Sequence, residues 1–159
     1  MKLVNRQGQP LADTWQYLGS DEAPTFAASS VVHPHQWDDY HMRFGVPAQG
    51  LWLAGDQDPA EILPLLGLLT LIVIEFPKSR DGRGVTLARL LRERHGFKGD
   101  LRAAGPLLPD QFAMLLQCGF SSLLVSAAVP AVRWQEAAAA LSQARPRTLL
   151  ERLSQRNEA

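Results

Sequence analysis

The chain alternates between short apolar runs and segments whose apolar residues recur at helical spacing. The run from Leu69 to Phe76 is apolar at both alternating positions, as in a central parallel strand that helices cover on both faces. Apolar strands that alternate with amphipathic helices indicate parallel pairing through right-handed crossovers. Five such strands are predicted, beginning near Val31, Leu51, Leu69, Leu101 and Ser122.

The predicted helices begin and end at local signals. Asp58, Pro59 and Glu61 occupy the N-cap, the first and the third helical positions, where each residue type suits a helix start. Pro64 follows closely, so this helix is expected to be short or bent. Residues 86–95 place leucines on one helical face and charged residues on the other, which predicts an amphipathic helix.

These elements predict a single α/β domain over residues 26–155, behind a polar N-terminal arm of residues 1–25. We expect a mainly parallel sheet of about five strands flanked by helices. An open doubly wound sheet is favoured over a partial (βα) barrel, because a full barrel needs ~200 residues or more and the chain has 159. In the arm, residues 15–18 are expected to form an edge strand or a β-arm, and residues 147–153 a last helical segment.

Composition narrows the classes of protein to which the chain can belong. The 16 basic and 16 acidic residues cancel, which argues against a nucleic-acid partner. A single cysteine, Cys118, permits no intrachain disulfide and fits a reducing cytoplasm. The N-terminus lacks a signal-peptide core, and the apolar stretch from Ile62 to Phe76 is shorter than the ~20 residues of a membrane-spanning helix. We therefore expect a cytoplasmic protein with no membrane partner.

One loop after the central strand is the best candidate for a binding site, because ligands of parallel sheets bind at the carboxyl ends of the strands. The loop Asp81-Gly82-Arg83-Gly84 leads directly into a helix N-terminus, which favours an anion. Its glycines permit close backbone approach, and Arg83, with Arg80 and Arg102 nearby, would offer charge-assisted hydrogen bonds. The sequence therefore predicts a small-oxyanion site. The alternative is a structural loop in which Asp81 caps the helix and pairs with an arginine.

The remaining chemistry-bearing residues are interpreted as structural. Cys118 is predicted to be buried at a helix end, on the rim opposite the strand-end loops. His33, His35 and His41 have no carboxylate in a recognised metal-ligand pattern with them, so we interpret them as surface or loop residues and predict no metal site. The sequence contains no phosphate-loop lysine motif, dinucleotide fingerprint or nucleophile elbow. It therefore identifies neither a catalytic residue nor a cofactor.

An ordered series of residues spans about 45 positions in the middle of the chain. Its members are Phe76, Pro77, Asp81, Gly82, Arg83, Gly84, Ala88, Leu91, Arg92, Arg94, Gly96, Gly99, Leu101, Arg102, Ala103, Gly105, Asp110, Gln111, Cys118, Gly119 and Phe120. In this series the chain resembles a bacterial family, domain of unknown function 934, whose members are commonly described as probable oxidoreductases involved in sulfite reduction. The resemblance implies a cytoplasmic protein linked to assimilatory sulfur metabolism.

Two functions remain open at this point, and the sequence leaves undecided whether the chain is an enzyme. One cysteine cannot supply the four thiolates of an iron–sulfur cluster, so electron transfer would need a cofactor held by other groups or a partner that carries it. The first function is an accessory protein that binds sulfite reductase components or a small oxyanion. The second is a small enzyme or oxidoreductase that acts on an anionic substrate at the carboxyl ends of the strands.

Overall fold

A computed structural model describes residues 1–19 and 25–143 of the chain. The predicted helical segment of residues 147–153 lies outside the described residues. The strands are β1 (Lys2–Val4), β2 (Pro10–Leu11), β3 (Gln16–Tyr17), β4 (Ser30–Val32), β5 (Gly50–Ala54), β6 (Leu71–Glu75), β7 (Asp100–Gly105) and β8 (Ser122–Val125). They form one sheet in the order β2-β1-β8-β7-β6-β5-β4-β3.

The helices confirm the local signals of the sequence. The Asp58 carboxylate accepts a hydrogen bond of 2.9 Å from the Ala60 N–H at the predicted helix start, and the α-helix ends before Pro64. A π turn (Leu90–Arg94) extends the third helix. The helices are α1 (Trp37–Phe44), α2 (Pro59–Ile62), α3 (Arg83–Arg89), α4 (Phe112–Gln117) and α5 (Ala131–Gln143).

The five predicted strands lie side by side and parallel, as β4 to β8. The edge strand predicted in residues 15–18 is β3, which pairs in parallel with β4. However, β1 pairs antiparallel with both β8 and β2. The prediction of a mainly parallel five-stranded sheet is therefore wrong in size and in type, since the sheet is mixed and has eight strands. The added strands have only two or three residues each, too few to show a readable alternation.

The sheet curls into a half-barrel. From β3 to β8 each strand lies next to the preceding one in chain order, so the connections wind in one direction. A doubly wound sheet needs a reversal of strand order, and that prediction is wrong. The open side lies between the edge strands β2 and β3, which residues 12–15 connect. Because an extended chain spans at most about 3.6 Å per residue, this link keeps the two edges within about 18 Å.

The two faces of the half-barrel carry separate cores. On the outer face, alternate strand residues pack with the buried residues of the helices, including Ile62, Leu91, Phe112 and Trp134. No described helix residue belongs to the inner core. Within the described residues, helices cover only the outer face, so the prediction that helices cover both faces of the central strand is wrong. β6 is apolar at both alternating positions because its inner face packs against other strands of the curled sheet. The buried inner-face residues are Leu3, Val31, Leu71, Val73, Ala104 and Leu124.

Arg92 fastens the π turn after α3 to the amino-terminal edge of the sheet. Its guanidinium donates hydrogen bonds of 2.6 to 2.8 Å to the carbonyls of Phe97, Gly99 and Gly119. Gly119 has a φ of 105°, and a Cβ at this position would lie 2.4 Å from the Arg92 Cγ. The glycine is therefore needed both for its backbone conformation and for the passage of the arginine.

We predict that Arg92→Ala lowers the free energy of unfolding by about 2–3 kcal/mol, because it strands partly buried carbonyl acceptors. Urea unfolding of the purified protein measures this loss. Arg89→Ala is the matched control, since Arg89 is an exposed residue one turn earlier, and its effect should stay within about 0.5 kcal/mol. Equal losses in the two variants would contradict the fastening role of Arg92.

Candidate functional site

The predicted oxyanion loop lies at the carboxyl end of β6, where it forms an ion-paired triad. Asp81 accepts hydrogen bonds from the Arg83 N–H at 3.1 Å and from the Arg83 Nε and Nη2 at 3.0 and 2.7 Å. Arg83 Nη1 also donates to the Asp56 carboxylate at 2.8 Å. The hydrogen bond from the Arg83 side chain lowers the pKa of Asp81 to about 2. Two carboxylates thus share one guanidinium at this rim.

The glycines of this loop have different surroundings. Gly84 is buried, and a Cβ on it would lie 2.8 Å from the Phe76 ring. A Cβ on Gly55, at the end of the neighbouring strand, would lie 3.0 Å from the Gly84 nitrogen. Gly84 therefore permits close packing of α3 against the sheet. Gly82 faces open space and stays available to a ligand.

Arg102 lies apart from this loop, on the inner face of β7. Arg102 is 4% exposed, and its guanidinium forms ion pairs with Asp100 at 2.6 Å and with Asp13 at 3.2 Å. It also donates to the Ser122 hydroxyl at 3.1 Å and to the Tyr17 hydroxyl oxygen. The prediction that Arg102 sits beside Asp81 and Arg83 is wrong, because β7 continues past Arg102 to Gly105 before it reaches the rim. Oxyanion binding by the predicted set stays a prediction.

The network around Arg102 ties the N-terminal segment to the middle of the sheet. Burial raises the pKa of Asp100, but the hydrogen bond from Ser121 and the Arg102 charge outweigh it and leave the pKa below its ordinary value. Burial lowers the pKa of Arg102, but Asp100, Tyr17 and Asp13 together outweigh burial and the net pKa is raised. Burial and the hydrogen bond to Asp13 raise the pKa of Tyr17. The network is therefore ionised at Asp100 and Arg102 and neutral at Tyr17 at neutral pH.

A second group of side chains lies at the carboxyl end of the inner face, and sequence reasoning missed it. Trp52 donates its indole N–H to the Glu75 Oε2 at 3.1 Å. The His33 ring centroid lies 6.0 Å from that of Trp52 and 5.6 Å from that of His35. The Tyr17 ring meets Trp52 edge-on at 5.7 Å. The only available signal was strand alternation, which puts Trp52 and Glu75 on the same face.

Two clefts open beside the ion-paired loop. The larger, of about 580 Å³, lies between α2 and α3 and includes Asp56 and Arg83 in its lining. The smaller, of about 230 Å³, lies between the loop and α4. The Gln111 side chain crosses it, accepting from the Leu108 N–H at 3.0 Å and donating to the Ser79 carbonyl. The lining of the smaller cleft includes Ser79, Arg80, Asp81, Gly82, Gln111 and Met114, and the Asp81 carboxylate there is paired with Arg83.

Cys118 lies where the sequence placed it, at the end of α4. The residue is 3% exposed, and it lines a cleft with Gly99 and Ser121 at the amino-terminal edge of the sheet. This edge is opposite the ion-paired loop, so the prediction of a buried cysteine on the other rim is confirmed. Within residues 1–19 and 25–143, no group of three or more His, Cys, Asp or Glu side chains is arranged to hold a metal ion.

Fold and site together define a half-barrel α/β protein with an ion-paired loop at its carboxyl rim. Residues 50–153 match the model of a family described as "Bacterial protein of unknown function (DUF934)", and the chain belongs to this family. The match begins at β5 and contains the ion-paired loop and Arg102. The curated proteins offer no match to the sequence. In the part of the chain that the structure describes, no helix has the length and apolar character needed to cross a membrane.

We predict that Arg102→Met lowers the free energy of unfolding by about 3–5 kcal/mol, because it leaves carboxylates on the inner face without their counter-charge. Chemical denaturation at neutral pH measures the loss. Arg133→Met is the control: Arg133 pairs with Glu136 at 3.5 Å on the surface, and such pairs contribute about 0–1 kcal/mol. A loss in Arg102→Met no larger than in this control would contradict the stabilising role of the network.

The lowered pKa of Asp100 predicts a specific acid sensitivity. A carboxyl group whose pKa is lower in the folded state stabilises the fold above its ordinary pKa of 3.8 and loses this contribution as the pH falls through the folded value. Asp100→Asn should therefore be less stable than the wild type at pH 7, and the gap should narrow steadily below about pH 4. Denaturation midpoints across this range measure the gap. A gap that stays constant across this range for Asp100→Asn would contradict the prediction.

Proposed function

We propose that this chain is a cytoplasmic accessory protein of bacterial assimilatory sulfur metabolism, which serves sulfite reduction by binding a small oxyanion in the 230 Å³ cleft. Arg80 carries the proposal. This exposed arginine lines the cleft, and no salt bridge to it occurs among the described residues. An arginine presents a planar fork of donors that suits the oxygens of sulfite or sulfate.

Charge balance favours Arg80 over Arg83 and Arg102 as the ligand of the anion. Arg83 is shared by two carboxylates, and Arg102 is buried against Asp100 and Asp13. Neither has its charge available to an external anion. Gly82 adds an open backbone position beside the same cleft. A cleft of 230 Å³ also leaves room for water around the ion, because one water occupies about 30 Å³.

The same rim suits a protein partner. Leu108 precedes the turn that leads into α4, and Met114 lies in α4. Their side chains are 46% and 39% exposed, respectively. We propose that a sulfite reductase component covers these apolar side chains and exchanges the anion with the cleft. The alternative of an enzyme acting on an anion at the strand ends has less support. Glu75 at the carboxyl end of β6 forms no salt bridge among the described residues and repels anions, whereas the Asp81 carboxylate in the proposed cleft is already paired with Arg83.

The oxyanion proposal predicts that sulfite, sulfate or phosphate raises the melting temperature at millimolar concentration, relative to chloride of equal ionic strength, because a ligand of the folded state stabilises it. Arg80→Ala should weaken this binding roughly ten- to a hundredfold, the effect of losing one charge-assisted hydrogen bond. Thermal-shift titration measures both effects. Arg89→Ala, on the exposed side of α3, is the matched control and should bind like the wild type.

An unchanged melting temperature in all three anions, or an equal response from Arg80→Ala and the wild type, would contradict oxyanion binding in this cleft. The docking proposal is tested separately by the double variant Leu108→Ser/Met114→Ser. This variant should lose binding to purified sulfite reductase, while its oxyanion response should persist. A double variant that binds the reductase as the wild type does would overturn docking at this rim.

A further inference from the structure

We propose that the carboxyl end of the inner face is a second binding site, which takes a planar organic cation. The site, called here the inner mouth, consists of Tyr17, His33, His35, Trp52 and Glu75. It is separate from the oxyanion cleft, whose lining contains Phe76 and Leu115 of the outer, helix-covered core. The two sites therefore lie on opposite faces of the sheet.

The register of the strands creates a recess at the inner mouth. Trp52 pairs with Val73 on one level of the inner face, and Glu75 lies on the next level towards the carboxyl end. On that level Glu75 is flanked by Ala54 of β5 and Ala104 of β7. Ala54 and Glu75 are exposed whereas Ala104 is buried, so the inner face opens above Trp52 on the β5 side. This is the end of the strands at which barrel folds commonly bind their ligands.

Aromatic rings form one wall of this recess. His33 directly follows β4 with an extended backbone, at φ −81° and ψ 157°, and its ring lies near that of Trp52. His35 stacks on His33 at an interplanar angle of 26° and is exposed. Trp52 is half-buried, and the Tyr17 ring contacts it edge-on from the inner face. Flat ligands stack on such rings, and the indole ring is the strongest of them for a cation.

The charge of the inner face selects for a cation. Lys2 and Arg102 are the two cationic residues in the described strands. Lys2 alternates with the inner-face residue Leu3, so it belongs to the other face. Arg102 is already bound by Asp13 and Asp100, and Glu75 adds a further carboxylate. Three carboxylates against one guanidinium make the potential at the inner mouth negative, which attracts cations and repels anions.

The recess also directs a bound cation. Trp52 holds the Glu75 carboxylate through Oε2, which fixes the position of the side chain. The second carboxylate oxygen of Glu75, Oε1, takes no part in this hydrogen bond. It can contact the positively charged nitrogen of a ligand whose flat face stacks on the rings. A carboxylate combined with an aromatic wall is the arrangement that recognises organic ammonium and ring-nitrogen cations.

The test is an NMR titration of the ¹⁵N-labelled protein at pH 8 with 1-methylnicotinamide as the planar cation. The chain has four tryptophans, and Trp52→Phe assigns the indole N–H signal of Trp52. We expect this signal to shift saturably at millimolar ligand. Glu75→Gln keeps an acceptor for the indole but removes the charge. The ring nitrogen of this ligand donates no hydrogen bond and Glu75 is exposed, so the loss of charge attraction should weaken binding about two- to fivefold.

Three controls make the result decisive. Glu61→Gln removes an exposed carboxylate on α2 and should bind the cation like the wild type. Nicotinate, which has the same ring with a negative charge, should leave the Trp52 signal in place. Tetramethylammonium, which is not flat, should bind more weakly. The proposal is overturned by the absence of a saturable Trp52 shift, by an equal response to nicotinate or tetramethylammonium, or by wild-type affinity in Glu75→Gln.

Discussion

The structure depends on a guanidinium held inside a curled sheet. Arg102 lies on β7, whereas two of its partners, Asp13 and Tyr17, belong to the segment at the β3 edge. Strands β4, β5 and β6 lie between β7 and β3, so a flat sheet would keep these groups far apart. Only a strongly curled sheet brings them into contact. A buried charge without partners is costly. Flattening the sheet would separate Arg102 from Asp13 and Tyr17, so these contacts stabilise the curled form.

The curl gives the two faces of the sheet different charge, and each face carries one of the two proposed sites. Inside the curl, Arg102 is enclosed by carboxylates, and the face around it keeps a negative balance that extends to Glu75. Outside, the connections wind on one face, and the loop after β6 meets α4 through the Gln111 side chain. Arg80 lies in that loop, with no carboxylate paired to it among the described residues. The proposed anion site and the proposed cation site thus lie on opposite faces of one sheet.

Local signals predicted a large part of this fold, because their causes lie within a few residues. The Asp58 cap, the alternation of β6 and the order of strand and helix from β4 to β8 are all of this kind. The short strand β1 depends instead on its pairing with β8, about 120 residues later in the chain, and β2 in turn pairs with β1. Arg102 was misplaced for the same reason, since its partner Asp13 is 89 residues away. The group around Glu75 likewise exists only after the curl forms.

The residues that carry the family resemblance mostly stabilise the scaffold. Arg92 and Gly119 lock the amino-terminal edge, and Gly84 permits α3 to pack on the sheet. Asp81 holds Arg83 in the loop. By contrast, Arg80 and Glu75, whose charges face solvent beside a cleft and a recess, are not among those residues. A motif can therefore specify how this half-barrel folds while leaving its ligands to neighbouring positions, and chemistry in such a protein is better sought in uncompensated charge than in the motif itself.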